Sequence, residues 1–386
     1  MTKRRTGAIA LLLAAAGTLA IVAGAYAKGH TAAASPAACS NVRLGFSGPL
    51  TGDAGFLGSE QLSWAQFAIS RFNRQFKTRI TIRQGDTQLD PAKSRTVGQQ
   101  FVADRKLMGI IGPSTSQGVI STADVAGPAK LVMVSPSATR PTLTTKHEGG
   151  PTFFRNVPND DVQGPTIANF IIKKLKLDEV AIVEVRANPY STSLGDIINA
   201  RLGAAGIKTT MLTVEPDQKD YSTTVTRVPA NAKAAILPWQ QPPDAMTFAN
   251  QLKLQGKRAY VFGTDGTYAP EQFHPTAAYV SAFANDLHFV RSARSVVAAY
   301  NRFSHNKAFG TFGPPSYMAA WILATAVKNG CKDGKLTRAE MVSKVRRTNV
   351  KSILGGRIKF NSLGDVSGAK FKIFHVVNGK YTPVNF

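Results

Sequence analysis

The sequence has few cysteines and few acidic residues. Its 386 residues include 2 cysteines, 6 histidines and 23 Asp and Glu, against 47 Lys and Arg, which gives a formal net charge of +24 at pH 7. The histidines lie far apart along the chain, so none has the spacing of a metal-ligand pair. The Gly-x-Ser-x-Gly motif of hydrolases is absent, and the glycines between 52 and 58 lack the spacing of a dinucleotide-binding loop. We therefore expect that the protein is not an enzyme and carries no metal or cofactor.

The first 27 residues predict export. Residues 2–5 include three basic side chains, residues 7–25 form an uncharged apolar run, and Ala25 and Ala27 occupy the two positions that a signal peptidase reads. This pattern is typical of a signal peptide at 1–27, cleaved after Ala27 and followed by a flexible tail at 28–40. An uncleaved membrane anchor is the alternative, because the run is near the lower length limit for a transmembrane helix. Export to the periplasm, the cell surface or the medium excludes cytoplasmic cofactor chemistry and gene regulation.

The excess of basic residues indicates partners of opposite charge. Outside the cytoplasm, such partners are anionic lipid headgroups or wall polymers rather than nucleic acid. A basic surface that is only solvated is the alternative, because the cations between residues 71 and 83 are spread along a helix and a strand. Association with an anionic membrane or wall surface therefore stays an open expectation, and we expect a monomer.

The two cysteines, Cys39 and Cys331, have two competing uses. An exported protein meets an oxidising compartment, which favours a disulfide between them. A lipid anchor on Cys39 is the alternative, but Pro36 stands where a lipoprotein signal requires an aliphatic residue. We expect the disulfide.

Apolar runs alternate with stretches of helical period from residue 42 onward. This alternation predicts an α/β fold with two doubly wound parallel-sheet lobes, because the chain is longer than one hydrophobic core usually serves. The predicted strands are 42–46, 80–82, 108–111 and 131–134 in the first series, and 180–185, 209–214, 234–237 and 259–262 in the second. Residues 292–348 then turn helical, and 357–360 and 370–377 suggest an antiparallel pair. We expect an N-terminal lobe of 41–156 with 287–366 and a C-terminal lobe of 157–286 with 367–386.

Hydroxyl residues follow two neighbouring strands of the first series. Residues 112–118 include Ser114 and Ser116 at a predicted helix start, and residues 135–139 follow the next strand. Free N–H groups and hydroxyls at such strand ends attract a carboxylate, although N-capping alone also explains them. Asp265 follows a strand of the second series, where it suits a ligand cation or caps an Asp-Gly turn. An anion-binding wall facing a carboxylate fits a zwitterion, and the smallest common one is an amino acid.

These segments, with residues 48–52, 161–165 and 181–183 and Tyr190, resemble the leucine/isoleucine/valine-binding proteins of ABC transporters. The likeness runs in matching order from about residue 42 to 381. It implies a type I periplasmic-binding-protein fold whose two lobes are joined by a three-segment hinge. It also implies capture of an amino acid between the lobes and delivery to an ABC transporter permease.

The resemblance also implies roles for individual residues. Ser116 and Thr139 match the groups that hold the ligand carboxylate. Ser137 matches a backbone carbonyl contact to the ammonium, so its side chain is incidental. Tyr190 matches an aromatic residue of the second lobe that covers the ligand, and Asp265 matches the acidic partner of the ammonium.

The chain departs from this family at positions that shape the ligand side-chain pocket. Asp265 stands where the family often has Glu, Gln241 where an aromatic residue is common, and Leu57 where Tyr occurs. Trp239 and Phe312 are further candidates for this pocket. The resemblance therefore leaves the preferred amino acid open. A sensor for an amide, a urea or an aromatic acid is the alternative function, and a hydrolase of wall components is a weaker one.

Overall fold

Two β-sheets organise the chain in a computed structural model that describes residues 37–284 and 286–386. The expected signal peptide and its cleavage site after Ala27 lie outside the described residues. In this part of the chain, no helix has the length and apolarity that crossing a membrane requires.

The first sheet is all parallel and has the order β2-β1-β3-β4-β5. Its strands are β1 (Arg43–Gly48), β2 (Thr81–Asp86), β3 (Leu107–Ile111), β4 (Val132–Ser135) and β5 (Phe153–Arg155). Every residue of β3 and β4 is buried, as expected for central parallel strands covered by helices on both faces. The covering helices are α1 (Gly55–Phe76), α2 (Pro91–Ala103), α3 (Ser116–Ala126), α4 (Thr142–Thr145), α9 (Arg294–Ser304), α10 (Gly313–Gly330) and α11 (Arg338–Arg346).

The second sheet has seven strands in the order β12-β11-β10-β9-β8-β6-β7, of which β6 to β10 are parallel. The strands are β6 (Glu179–Val185), β7 (Lys208–Val214), β8 (Ala234–Leu237), β9 (Tyr260–Gly263), β10 (Ala277–Ala282), β11 (Lys372–Val377) and β12 (Lys380–Val384). Its helices are α5 (Asp160–Phe170), α6 (Pro189–Gly203), α7 (Ser222–Thr226) and α8 (Pro242–Leu254). The predicted α/β fold with two parallel-sheet lobes is therefore confirmed. The lobe boundaries themselves stay predictions.

The predicted antiparallel pair of 357–360 with 370–377 is wrong. Arg357–Ile358 pairs with Val350–Lys351, whereas β11 pairs with β10 and β12. The two runs belong to different sheets, because the segment between them passes from one lobe to the other. The sequence pattern also did not reveal β10, whose small side chains give a weak strand signal.

The chain passes between the lobes three times: between β5 and α5, between β10 and α9, and between Ile358 and β11. The first lobe is therefore completed by late helices, and α10 packs against α1 in its core. Cys39 and Cys331 form a disulfide that ties the segment before β1 to the end of α10. Ala37–Ala38 pairs with Lys335–Leu336 beside it.

Arg155, at the end of β5, is a fully buried cation. Its Nε lies 2.5 Å from Oδ1 of Asp365, a residue of the third crossing. Its Nη1 donates to the carbonyls of Ala138 (3.3 Å) and Arg140 (2.6 Å), and its Nη2 donates to the hydroxyl of Thr144 at 2.8 Å. One guanidinium thus holds the segment after β4 against the last crossing.

We expect Arg155→Gln to lower the free energy of unfolding by about 3–5 kcal/mol, because it leaves a partly buried carboxylate and several buried carbonyls without their donor. Urea unfolding followed by circular dichroism measures this change. Arg95→Gln is the matched control, since Arg95 pairs with Asp124 on the surface and exposed pairs contribute about 0–1 kcal/mol. Equal losses in the two variants would contradict the assigned role.

Candidate functional site

Two of the predicted serines, Ser114 and Ser137, form hydrogen bonds within the first lobe. The Ser114 hydroxyl lies 2.5 Å from Oε1 of Gln61 and 3.1 Å from the carbonyl of Ser47. The Ser137 hydroxyl donates to the Ser114 carbonyl at 2.5 Å and accepts from Nε2 of Gln61 at 2.8 Å. Gln61, on α1, was not identified from the sequence. Because these hydroxyls already have protein partners, Ser114 and Ser137 hold the segments after β3 and β4 in place.

Ser116 and Thr139 keep hydrogen-bonding capacity at the same strand ends. Thr115 caps α3 by accepting from the Gly118 N–H, so the helix starts at Ser116. The Ser116 hydroxyl accepts from the backbone N–H of Arg140 at 3.3 Å, which leaves its own proton to donate. Thr139 is fully buried, and its hydroxyl has no partner in the described part of the chain. With the free N–H groups at the start of α3, these hydroxyls form a wall of donors that can bind an anion.

Asp265 lies at the end of β9, at the start of a 3₁₀ turn in the second lobe. Its Oδ1 accepts from Nε2 of Gln163 on α5 at 2.6 Å and lies 2.8 Å from the Tyr190 hydroxyl. Tyr190 occupies the first turn of α6, which Asn188 caps by accepting from two backbone N–H groups. Burial raises the pKa of Asp265 to about 6, although the hydrogen bonds from Tyr190 and Gln163 lower it.

A second buried carboxylate, Asp160, was not identified from the sequence. It is the first residue of α5, and its backbone N–H donates to the Thr139 carbonyl at 2.9 Å. Both of its carboxylate oxygens are buried with no hydrogen-bond partner among the described residues. Burial, and then the nearby charge of Asp265, raise the pKa of Asp160 well above its usual value, although the nearby Thr139 hydroxyl lowers it. The sequence shows two adjacent acids here, but Asp161 is exposed and only the fold tells which one points inward.

Leu57 and Phe312 lie together in an apolar cluster at the crossings. Phe312 packs edge-on against Phe283, with ring centroids 5.2 Å apart, and Val162 of α5 contacts the same cluster. Val157, of the first crossing, is a further member. The cluster thus joins α1, the loop before α10 and the helix that carries Asp160.

The Trp239 side chain lies in the core of the second lobe, whereas Gln241 lines the cleft between the lobes. The Trp239 indole N–H donates to the Val183 carbonyl at 2.7 Å, and its ring packs against Tyr221 and Phe248 in the core of the second lobe. Gln241 lines a cleft of about 670 Å³ at the mouth between the lobes.

Two polar contacts cross this cleft. Gln117 of α3 donates to Oε1 of Gln240 at 3.0 Å, and Asn188, from the same lobe as Gln240, donates to that oxygen at 3.1 Å. At the mouth, Nζ of Lys219 lies 2.7 Å from a carboxylate oxygen of Asp53. Gln240, one residue before the predicted Gln241, was missed because sequence matching gives no side-chain direction.

We expect Asp265→Asn to stabilise the ligand-free protein by about 1–3 kcal/mol at pH 7, because a pKa of about 6 in the folded state makes ionisation of this carboxyl unfavourable there. The gain appears as the pH rises from about 4 to 6, and below that range both folded and unfolded chains hold the proton. Urea unfolding at pH 4, 5 and 7 tests this prediction. Asp124→Asn, on an exposed side chain, is the control. A loss of stability at pH 7 would contradict it.

The sequence and the fold are similar to those of known proteins. Residues 41–379 match the model of a family described as periplasmic binding protein. The Leu/Ile/Val-binding protein BraC3 of Rhizobium johnstonii is 26% identical over 352 residues, which cover 89% of this chain and 94% of that protein.

Solved structures share the fold at lower identity. A leucine-binding protein from Thermotoga maritima has a TM-score of 0.79 at 19% identity, and the match covers 89% of this chain and 98% of that one. A solute-binding protein from R. palustris in complex with benzoate has a TM-score of 0.77 at 13% identity, covering 89% and 96%. The fold therefore serves proteins whose ligands differ.

Proposed function

Because this chain belongs to the periplasmic binding protein family, we propose that it is an exported binding protein that captures an amino acid between its lobes and delivers it to an ABC transporter permease. Solute binding is the role of its relatives, and BraC3 is named for leucine, isoleucine and valine. The disulfide occupies Cys39, so a lipid anchor on that thiol is not part of the proposal.

One observation carries the proposal: hydroxyl and N–H donors at the start of α3 and at Thr139 lie next to two buried carboxylates. The start of α3, with the hydroxyls of Ser116 and Thr139, suits the ligand carboxylate. Asp160 and Asp265 suit the ammonium. The hydrogen bond from the Asp160 backbone N–H to the Thr139 carbonyl joins the group proposed for the carboxylate to the group proposed for the ammonium. A buried ammonium needs such partners, because leaving it unpaired costs several kcal/mol.

The order of binding follows from which lobe carries which group. The ligand first meets Ser116 and Thr139 on the first lobe, and the second lobe then brings Tyr190 and Asp265 against it. The contacts of Gln117 with Gln240 and of Lys219 with Asp53 join the lobes once they approach. The joined lobes present one surface to the permease.

The apolar cluster supports an apolar ligand side chain. Leu57, Phe283 and Phe312 are each nearly completely buried and lie on elements that flank the polar groups. Contact with such a surface contributes about 0.8 kcal/mol per buried methylene group. A branched aliphatic or an aromatic side chain fits this environment better than a charged one.

We expect leucine, isoleucine or valine to bind in calorimetric titrations, and Asp160→Asn or Asp265→Asn to weaken that binding by about 30-fold or more, because each change removes one partner of a buried charge pair. Asp124→Asn should leave the affinity unchanged, since this residue is exposed.

Two leucine analogues separate the alternatives. 4-Methylpentanoate lacks the ammonium and 3-methylbutylamine lacks the carboxylate, so we expect both to bind far more weakly than leucine. Tight binding of benzoate, unaffected by Asp265→Asn, would favour the sensor of an aromatic acid, and tight binding of 4-methylpentanoate would contradict the role given to the ammonium. If a folded sample gave no heat of binding with any amino acid, the proposal would be wrong.

We further expect the affinity for the amino acid to fall by about tenfold between pH 7 and pH 5. The ammonium stabilises the ionised form of Asp265, whose pKa in the free protein is raised to about 6, so below that pH binding must release a proton. Calorimetry at pH 5.5 in buffers of different ionisation enthalpy counts the protons released. Asp265→Asn should reduce that number, and an affinity independent of pH would contradict the assignment.

A further inference from the structure

A second cavity, of about 290 Å³, lies against all three crossings between the lobes. Residues 156–158 of the first crossing, 283–284 of the second and 366–370 of the third line it, together with the hairpin at 352–358. Three cations belong to its lining: Arg357, Lys370 and Lys372. It shares no lining residue with the cleft at the mouth between the lobes.

These cations have no carboxylate partner in the part of the chain that the structure describes. The acidic residues next to the lining segments are engaged elsewhere. Asp365 pairs with the buried Arg155, and Asp286 accepts from the Tyr268 hydroxyl at 3.1 Å and lies 2.7 Å from Nδ1 of His288. Three exposed cations of the cavity lining are therefore not neutralised by a carboxylate of the described chain.

The hairpin beside the cavity adds to this charge. Lys351 stands directly opposite Arg357 in the antiparallel pair, and like charges in that position destabilise a hairpin. Arg357 donates to the side chain and the carbonyl of Asn349, each at 2.6 Å, which orients its guanidinium. An anion bound here would reduce the repulsion and would find a guanidinium already held in place.

Glycines keep the backbone uncovered on two sides of the cavity. Gly355 and Gly368 have positive φ values of 104° and 75°, a conformation that glycine adopts without strain. A Cβ added to either would meet no atom within 4 Å, so open space adjoins both. A compact tetrahedral anion can approach the backbone there.

We propose that this cavity binds a phosphate group, held by Arg357, Lys370 and Lys372. The group is either free inorganic phosphate or the phosphodiester of an anionic lipid headgroup, which present the same oxyanion chemistry to these cations. The cavity adjoins the apolar cluster through Val157 and Phe283, but its three cations lie outside that cluster, and its lining unites both lobes.

The test compares a cavity variant, Arg357→Gln with Lys370→Gln and Lys372→Gln, with a control variant, Lys77→Gln with Lys130→Gln and Arg302→Gln. The control loses the same three charges from exposed positions outside the cavity. Inorganic phosphate is titrated into each protein by calorimetry at low ionic strength. Flotation with phosphatidylglycerol vesicles, against phosphatidylcholine vesicles, forms the second arm. Leucine binding and circular dichroism check that each variant is folded.

We expect the cavity variant to weaken the binding of inorganic phosphate or of phosphatidylglycerol vesicles by about tenfold or more, and the control by less than about twofold. Loss in the first arm alone identifies free phosphate as the ligand, and loss in the vesicle arm identifies the lipid headgroup. Equal behaviour of the two variants in both arms overturns the proposal, because total charge then accounts for any binding. The single change Lys370→Gln, on an exposed residue, repeats the test if the triple variant fails to fold.

Discussion

The buried guanidinium of Arg155 is the constraint on which the cleft depends. A buried arginine is stable only when its donors find acceptors, and here the acceptors come from two separate parts of the chain. One part is the segment after β4, which carries Thr139, and the other is Asp365 in the last crossing. One side chain therefore links the segment that carries Thr139 to the last crossing between the lobes.

The two carboxylates on the other side of the site have the opposite effect on stability. Asp160 and Asp265 are buried near each other, and burial disfavours the charge on both. Tyr190 and Gln163 offset this cost at Asp265, whereas the oxygens of Asp160 have no such donors among the described residues. Sites that bind tightly often hold groups that are unfavourable without their ligand. This pair fits that pattern, since a cationic group would relieve both carboxylates together.

The sequence predicted the lobes well because parallel strands are long apolar runs separated by helices of different period. The positions of Ser116, Thr139 and Asp265 at strand ends could be predicted, since the carboxyl ends of parallel strands share one edge. Side-chain direction could not be predicted. Trp239 lies in the core of its lobe, Ser114 and Ser137 bond within theirs, and Asp160 rather than Asp161 points inward. The pairing of β10 with β11 could not be predicted either, because it joins segments about 95 residues apart and local patterns do not encode such partners.

The late position of α9 and α10 has a consequence for how the chain acquires its structure. Trp64 of α1 stacks on Tyr300 with ring centroids 3.9 Å apart, so the earliest helix finds its packing partner only near the end of synthesis. The bond between Cys39 and Cys331, with a sequence separation of 292, likewise waits for almost the whole polypeptide. Such distant contacts slow collapse into the native topology. Such a delay suits a protein that crosses a membrane as an unfolded chain, because these contacts cannot form until the last quarter of the chain is available.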